Sequence, residues 1–185
     1  RPIKGTAARS NDPATDRQAA RELAASAKNR AENLMIVDLL RNDLGRHCET
    51  GSIRVDELFA IESFRNVHHL VSSISGTLRH TTDIWKVFFG CFPGGSITGA
   101  PKIRACQIIA ELEQTAREIY CGSVFYASNN GRCDSSIAIR TMLCNQGHIS
   151  AWAGGGIVKD STAEEEYQEC QHKIQRLLDA LDTQG

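Results

Sequence analysis

The sequence predicts an α+β fold built on antiparallel sheet. Helix-period and strand-period segments are interspersed along the chain. Two hairpin signals, Asn129-Asn130-Gly131 and Asn145-Gln146-Gly147, separate strand-like runs, and the chain closes on a long helix-period segment. Hairpins join antiparallel strands, so a doubly wound parallel sheet is not expected.

Taken in order, Asp12 as N-cap and Pro13 in the first helical position open a helix over 13–30. Its apolar face is Ala20, Leu23, Ala24, Ala27 and Ala31. The apolar run 34–37 reads as a short buried strand, and 38–46 as a helical turn ending at Gly45. Strands are expected at 52–55 and 67–78, the second β-branched and alternating. A short helix over 84–92 stops at Pro93, a glycine-rich loop covers 93–100, and Pro101 opens a helix to about Leu112. Strands at 123–127, 133–143 and 148–153 follow, then a helix over 163–181.

A chain of 185 residues, 41% hydrophobic and 23% charged, is long enough for one soluble domain with its own core. The net charge of -1 and the lack of a basic tract give no footprint for nucleic acid. No apolar run reaches the roughly 18 residues of a membrane span. The seven cysteines are odd in number and form no CxxC pair, which argues against a disulfide framework or a zinc site. Reduced thiols in a cytoplasmic protein are the simple reading. The opening Arg1-Pro2-Ile3-Lys4-Gly5-Thr6 has no initiator Met and reads as the middle of something, a fragment or a processed chain.

The last helix carries the first chemical signal. Glu166, Glu169 and Lys173 share one stripe, flanking an apolar stripe of Ala163, Tyr167, Cys170, Ile174, Leu177 and Leu181. Alone, the charged stripe is an ordinary solvated face with Glu169–Lys173 pairing. Preceded by Ala153-Gly154-Gly155-Gly156, it also suits an anion bound together with a hard cation, because bare glycine N–H groups allow close approach. The loop Pro93-Gly94-Gly95-Ser96-Ile97-Thr98-Gly99-Ala100-Pro101-Lys102 leads into a helix but lacks Walker A spacing. It is either a plain glycine-rich turn or a cradle for a ligand carboxylate. Lys4 is a lone lysine beside Gly5; such a residue is usually inert, but a partly desolvated amine can act as nucleophile or base. His68 and His69 are neighbours in a strand and face opposite sides, so at most one lines a given site. Arg140, in an otherwise apolar strand, calls for an anionic partner. Asp38, Arg41 and Asp43 read as a salt-bridged surface turn.

Together these motifs resemble the chorismate-binding enzymes. Arg1–Thr6, the run Ala31-Glu32-Asn33-Leu34-Met35-Ile36-Val37-Asp38-Leu39-Leu40-Arg41-Asn42-Asp43, Val67-His68-His69-Leu70-Val71-Ser72, the 93–102 loop, Tyr120-Cys121-Gly122-Ser123, 134–141, 153–158 and 166–173 stand in the family's order. The resemblance implies two packed antiparallel sheets with helices outside, and a need for Mg²⁺. Lys4 points to the aminodeoxychorismate synthase branch; the anthranilate branch typically has alanine there. The implied roles are Glu32, Glu166 and Glu169 toward Mg²⁺, and Arg140, Lys173, Gly154, Gly155 and Gly156 toward substrate carboxylates. His69 and Thr98 line the pocket and Lys4 is the nucleophile. The implied partners are chorismate and a glutamine amidotransferase that supplies ammonia. Two departures stand out: Asn29 replaces the first glutamate of a Glu-x-x-Glu pair, and Phe125 replaces a glycine, which narrows the expected pocket. Family chains are longer and carry an N-terminal half with an upstream glutamate motif. Self-association, or a partner supplying that half, is therefore expected.

Overall fold

The computed structural model describes residues 1–159 and 161–182. The chain divides into two compact units, Arg1–Gln107 and Ile108–Gly185.

The first unit holds β1 (Ile3–Ala8), α1 (Pro13–Ala25), α2 (Ala27–Gly45), β2 (Arg54–Ser63), β3 (Val67–Ser75), α3 (Ile84–Cys91) and the start of α4 (Lys102–Leu112). Its sheet is antiparallel throughout, in the order β1-β3-β2. Leu23, Ile36, Val37, Cys48, Leu70 and Val71 form the core. Of the buried residues of α2, Asn33, Ile36 and Val37 recur at i, i+3 and i+4, the spacing of one helical face, and Asp43 follows near its end.

That spacing corrects the strand expected at 34–37. The run is the middle of α2, and its other members, Leu34 and Met35, point to solvent. The first helix is also shorter than 13–30. Asp12 caps it as expected, accepting from Thr15 N, but the chain breaks at Ser26, whose side chain caps α2 by accepting from Asn29 N. The strand β1 lay in a segment with too few apolar residues to read as strand, and β2 runs on to Ser63, well past the expected 55.

The second unit holds two hairpins and the last helix. Strands β4 (Ser123–Ala127) and β5 (Cys133–Ile137) pair antiparallel, as do β6 (Met142–Asn145) and β7 (His148–Ala151); α5 spans Ala163–Asp182. Gln146 and Gly147 both take positive φ, as a tight two-residue hairpin loop demands. The single strand expected over 133–143 is broken in two. Ile139 N donates to Ile137 O at 3.0 Å and Arg140 sits at φ 50, so the backbone turns out of the ladder there. Among the described residues, buried apolar ones are few in this unit: Cys121 and Ala138, tied by Cys121 N to Ala138 O at 2.9 Å. The apolar stripe of α5 is only partly covered. Cys170, Ile174 and Leu177 are half-buried, whereas Ala163, Tyr167 and Leu181 are exposed.

No described helix is long and apolar enough to cross a membrane.

Candidate active site

In the first unit the sequence sets Lys4 at a break in a strand. The β1–β3 register shifts between Ile3 and Thr6, and Gly5 between them has φ 95. A Cβ on Gly5 would lie 2.9 Å from both Asn29 Cγ and Leu23 Cδ1, so only glycine lets β1 approach α1 and α2 this closely. Bulges of this kind re-aim side chains. The Lys4 ammonium meets Glu32 of α2, Nζ to Oε2 3.1 Å, with both side chains mostly covered. Two residues on, Thr6 Oγ1 shares a 2.9 Å hydrogen bond with His69 Nδ1.

The two histidines divide as expected. His69 is half-buried, with the Phe64 ring 5.4 Å away. His68 is buried and lies 2.8 Å from Ser63 Oγ and 3.0 Å from Asp16 Oδ1. Asp16 also accepts from Arg9 Nε at 2.7 Å and Ser10 N at 3.0 Å. Those bonds, Arg9 first, hold its carboxyl well below the usual carboxylate range.

The glycine loop is anchored from below. Lys102 Nζ donates to Asp43 Oδ2 at 2.5 Å and to Cys91 O at 3.2 Å. Asp43 is therefore a buried partner and not part of a surface turn; Asp38 and Arg41 alone form the exposed pair, at 3.0 Å. Thr98 Oγ1 donates to Gly94 O within the loop. The helix starts at Lys102, one residue after Pro101.

In the second unit one pocket collects several of the expected residues. Tyr120, Ile139, Arg140, Trp152, Gly154 and Lys173 line it. Arg140 also lines this pocket, but it is exposed and lies outside the flanking strands, and among the described residues it has no hydrogen bond or ion pair, so the expected strand position and anionic partner are not found. Lys173 pairs with Glu169 and donates to Gly154 O at 3.1 Å. Burial, with Cys121 next, pushes the Tyr120 phenol up to about 12. It stays protonated at neutral pH and is a hydrogen-bond donor. Phe125 is not among the lining residues.

The glycines after Trp152 are set by close approach. A Cβ on Gly154 would lie 2.6 Å from Tyr120 Oη, and one on Gly155 would lie 2.5 Å from Glu166 Oε2. Gly155 and Gly156 are exposed. Glu166 Oε1 accepts from Ser161 Oγ at 2.5 Å, while Oε2 is buried with no hydrogen-bond partner among the described residues. Sequence reasoning took Tyr120 only as part of a motif and missed Trp152. The available signal was an aromatic residue immediately before Ala153-Gly154.

The family model for chorismate binding enzyme matches residues 1–179. The chain belongs to this family. It is 55% identical over 185 residues to aminodeoxychorismate synthase component 1 of Salmonella typhimurium, covering 98% of this chain and 40% of that protein. Anthranilate synthase component I of Streptococcus pneumoniae superposes with TM-score 0.82 at 38% identity, over 92% of this chain and 41% of that one. MenF, the menaquinone-specific isochorismate synthase of Escherichia coli, superposes with TM-score 0.83 at 28% identity, over 95% and 40%. The chain thus spans about two-fifths of the length of these relatives. The expected α+β fold with antiparallel sheets is borne out.

For this member of the family, the orphaned Oε2 of Glu166 tests whether the residues suit Mg²⁺. It is a buried carboxylate oxygen wanting a partner, and the candidates Glu32, Glu166 and Glu169 offer only hard oxygen donors, so the donor chemistry fits. Among the described residues no three His, Cys, Asp or Glu side chains converge into a metal site; Glu32 belongs to the first unit, and Glu166 and Glu169 to the second.

Proposed function

We propose that this chain carries part of the catalytic region of an aminodeoxychorismate synthase, which replaces the 4-hydroxyl of chorismate with an amino group. The observation that carries the reading is the Lys4–Glu32 pair, a mostly covered amine turned out of its strand by a bulge onto a carboxylate. Lys4 passes its extra proton to Glu32, and the neutral Nζ attacks ring carbon 2 as the 4-hydroxyl departs. Ammonia then adds at carbon 4 and expels the amine, so that chorismate and ammonia give 4-amino-4-deoxychorismate and water. Glu32 orients the amine. Chorismate is a dianion, and the pocket of the second unit offers Arg140, Lys173 and the Tyr120 hydroxyl to carboxylates, with Gly155 and Gly156 leaving N–H groups open to approach. For His69 and Thr98 of the first unit the family resemblance implies a part in binding the substrate. In the second unit Glu166 and Glu169 would hold Mg²⁺, which when bound supplies positive charge against the substrate's ring carboxylate. The ammonia comes from a glutamine amidotransferase subunit, and the enzyme works in the cytoplasm.

The likeness to anthranilate and isochorismate synthases supports a second reading, in which the same substrate yields a different product. Mass spectrometry of products from chorismate, Mg²⁺ and excess ammonium separates the two. The expected product is aminodeoxychorismate, lost in Lys4→Ala. Anthranilate or isochorismate would overturn the role of Lys4. Partner binding without turnover would make the chain an assembly module.

A further inference from the structure

The most buried polar pair in the first unit takes no part in the chemistry above. Asn33 and Ser72 are each 0% exposed, set among Ile36, Val37, Leu70 and Val71. Ser72 Oγ donates to Asn33 Oδ1 at 2.6 Å, and Asn33 Nδ2 donates to Leu70 O at 3.2 Å. Phe59 N, in the irregular stretch of β2, donates to Ser72 Oγ at 3.1 Å. A chain of directional bonds thus runs from β2 through β3 into α2.

The net stability of one such bond is small, about 1 kcal/mol, although an apolar pair would leave Phe59 N and Leu70 O short of a partner. Satisfied buried networks instead select one arrangement, because apolar contacts set a distance and tolerate rotation, while hydrogen bonds do not. Asn33 and Glu32 are successive residues of α2, about 100° apart around its axis. Whatever fixes the direction of Asn33 fixes that of Glu32, which lies at the edge of the buried face and reaches Lys4. The acceptor Leu70 O is likewise next in β3 to His69.

We propose that Asn33 is a positioning residue: its clamp to Ser72 and Leu70 sets the rotation of α2 that brings Glu32 onto Lys4. The functional meaning of that pair rests on the reading of Lys4 given above; the clamp itself is tested without turnover.

The test is competitive acetylation of the whole chain, read lysine by lysine by peptide mass spectrometry, in the double variant Asn33→Val with Ser72→Ala. Glu32→Gln is the standard for a released Lys4. Lys102, equally covered and paired with Asp43, reports general loosening. Loss of one directional contact should speed Lys4 labelling about threefold or more, toward the Glu32→Gln rate, with Lys102 unchanged. Wild-type labelling of Lys4 in the double variant, or equal acceleration at Lys102, overturns the clamp. Where the double variant does not melt cooperatively, Ser72→Ala alone is read by the same two criteria. A labelling change in the variant together with no aminated product from the wild-type chain overturns the functional reading and leaves the clamp standing.

Discussion

At the scale of single residues, the chemistry lies in a few polar side chains whose partners were invisible in the sequence. Arg140, unpartnered among the described residues, should bind substrate through charge-assisted bonds. Arg140→Ala is expected to raise KM by about tenfold or more, the size of one lost hydrogen bond to a charged group, with kcat less affected; steady-state kinetics in chorismate check this. Asp16 gives a pH effect on stability. Its folded-state value lies below its ordinary 3.8, so its contribution is complete above that value and is lost as pH falls through the lower folded value. Thermal melts should therefore weaken below about pH 4, and Asp16→Asn should flatten that fall while lowering Tm at neutral pH. Asp16 was placed only as a member of the first helix. Its partners Arg9 and His68 stand 7 and 52 residues away, and no local pattern joins them.

At the scale of elements, most of the pattern was legible. Caps and stops worked: Asp12 capped α1, α3 ended before Pro93, and both Gly-containing turns closed hairpins. The run 34–37 failed because four apolar residues fit a buried strand or the inner face of a helix, and only packing on β3 chooses between them. The run Gly154–Gly156 was read as room for a ligand at bare N–H groups; in the fold, the Tyr120 and Glu166 side chains occupy the space that a Cβ on Gly154 or Gly155 would need. Gly155→Ala tests this. Its methyl would lie 2.5 Å from the buried Glu166 Oε2, so the variant should lose Mg²⁺-dependent turnover and, separately, bind Mg²⁺ more weakly by calorimetry.

At the scale of the whole molecule, stability is unevenly spread. The first unit buries Leu23, Ile36, Val37, Cys48, Leu70 and Val71, the second only Cys121 and Ala138 among the described residues. Amide hydrogen exchange should therefore be slowest in α2 and β3 and fast through β4 to β7. Protection in β4–β5 equal to that in β3 would contradict it. Strand β4 also leaves apolar residues open on both faces, Val124, Phe125 and Tyr126. Concentration-dependent self-association is the matching expectation in sedimentation.

The sequence by itself determined the α+β class, the hairpins, the last helix and the motifs that mark the family, because these depend on periodicity, turn chemistry and residue type over short spans. Tertiary structure alone decided that Lys4 meets Glu32, that Asp43 is buried against Lys102, that Tyr120 joins Arg140 and Lys173 at one pocket, and that Asn33 locks onto Ser72. Each is a contact between residues far apart in the chain. Such contacts form only when packing brings elements together, and the directional bonds they make cannot be read from either partner's neighbours.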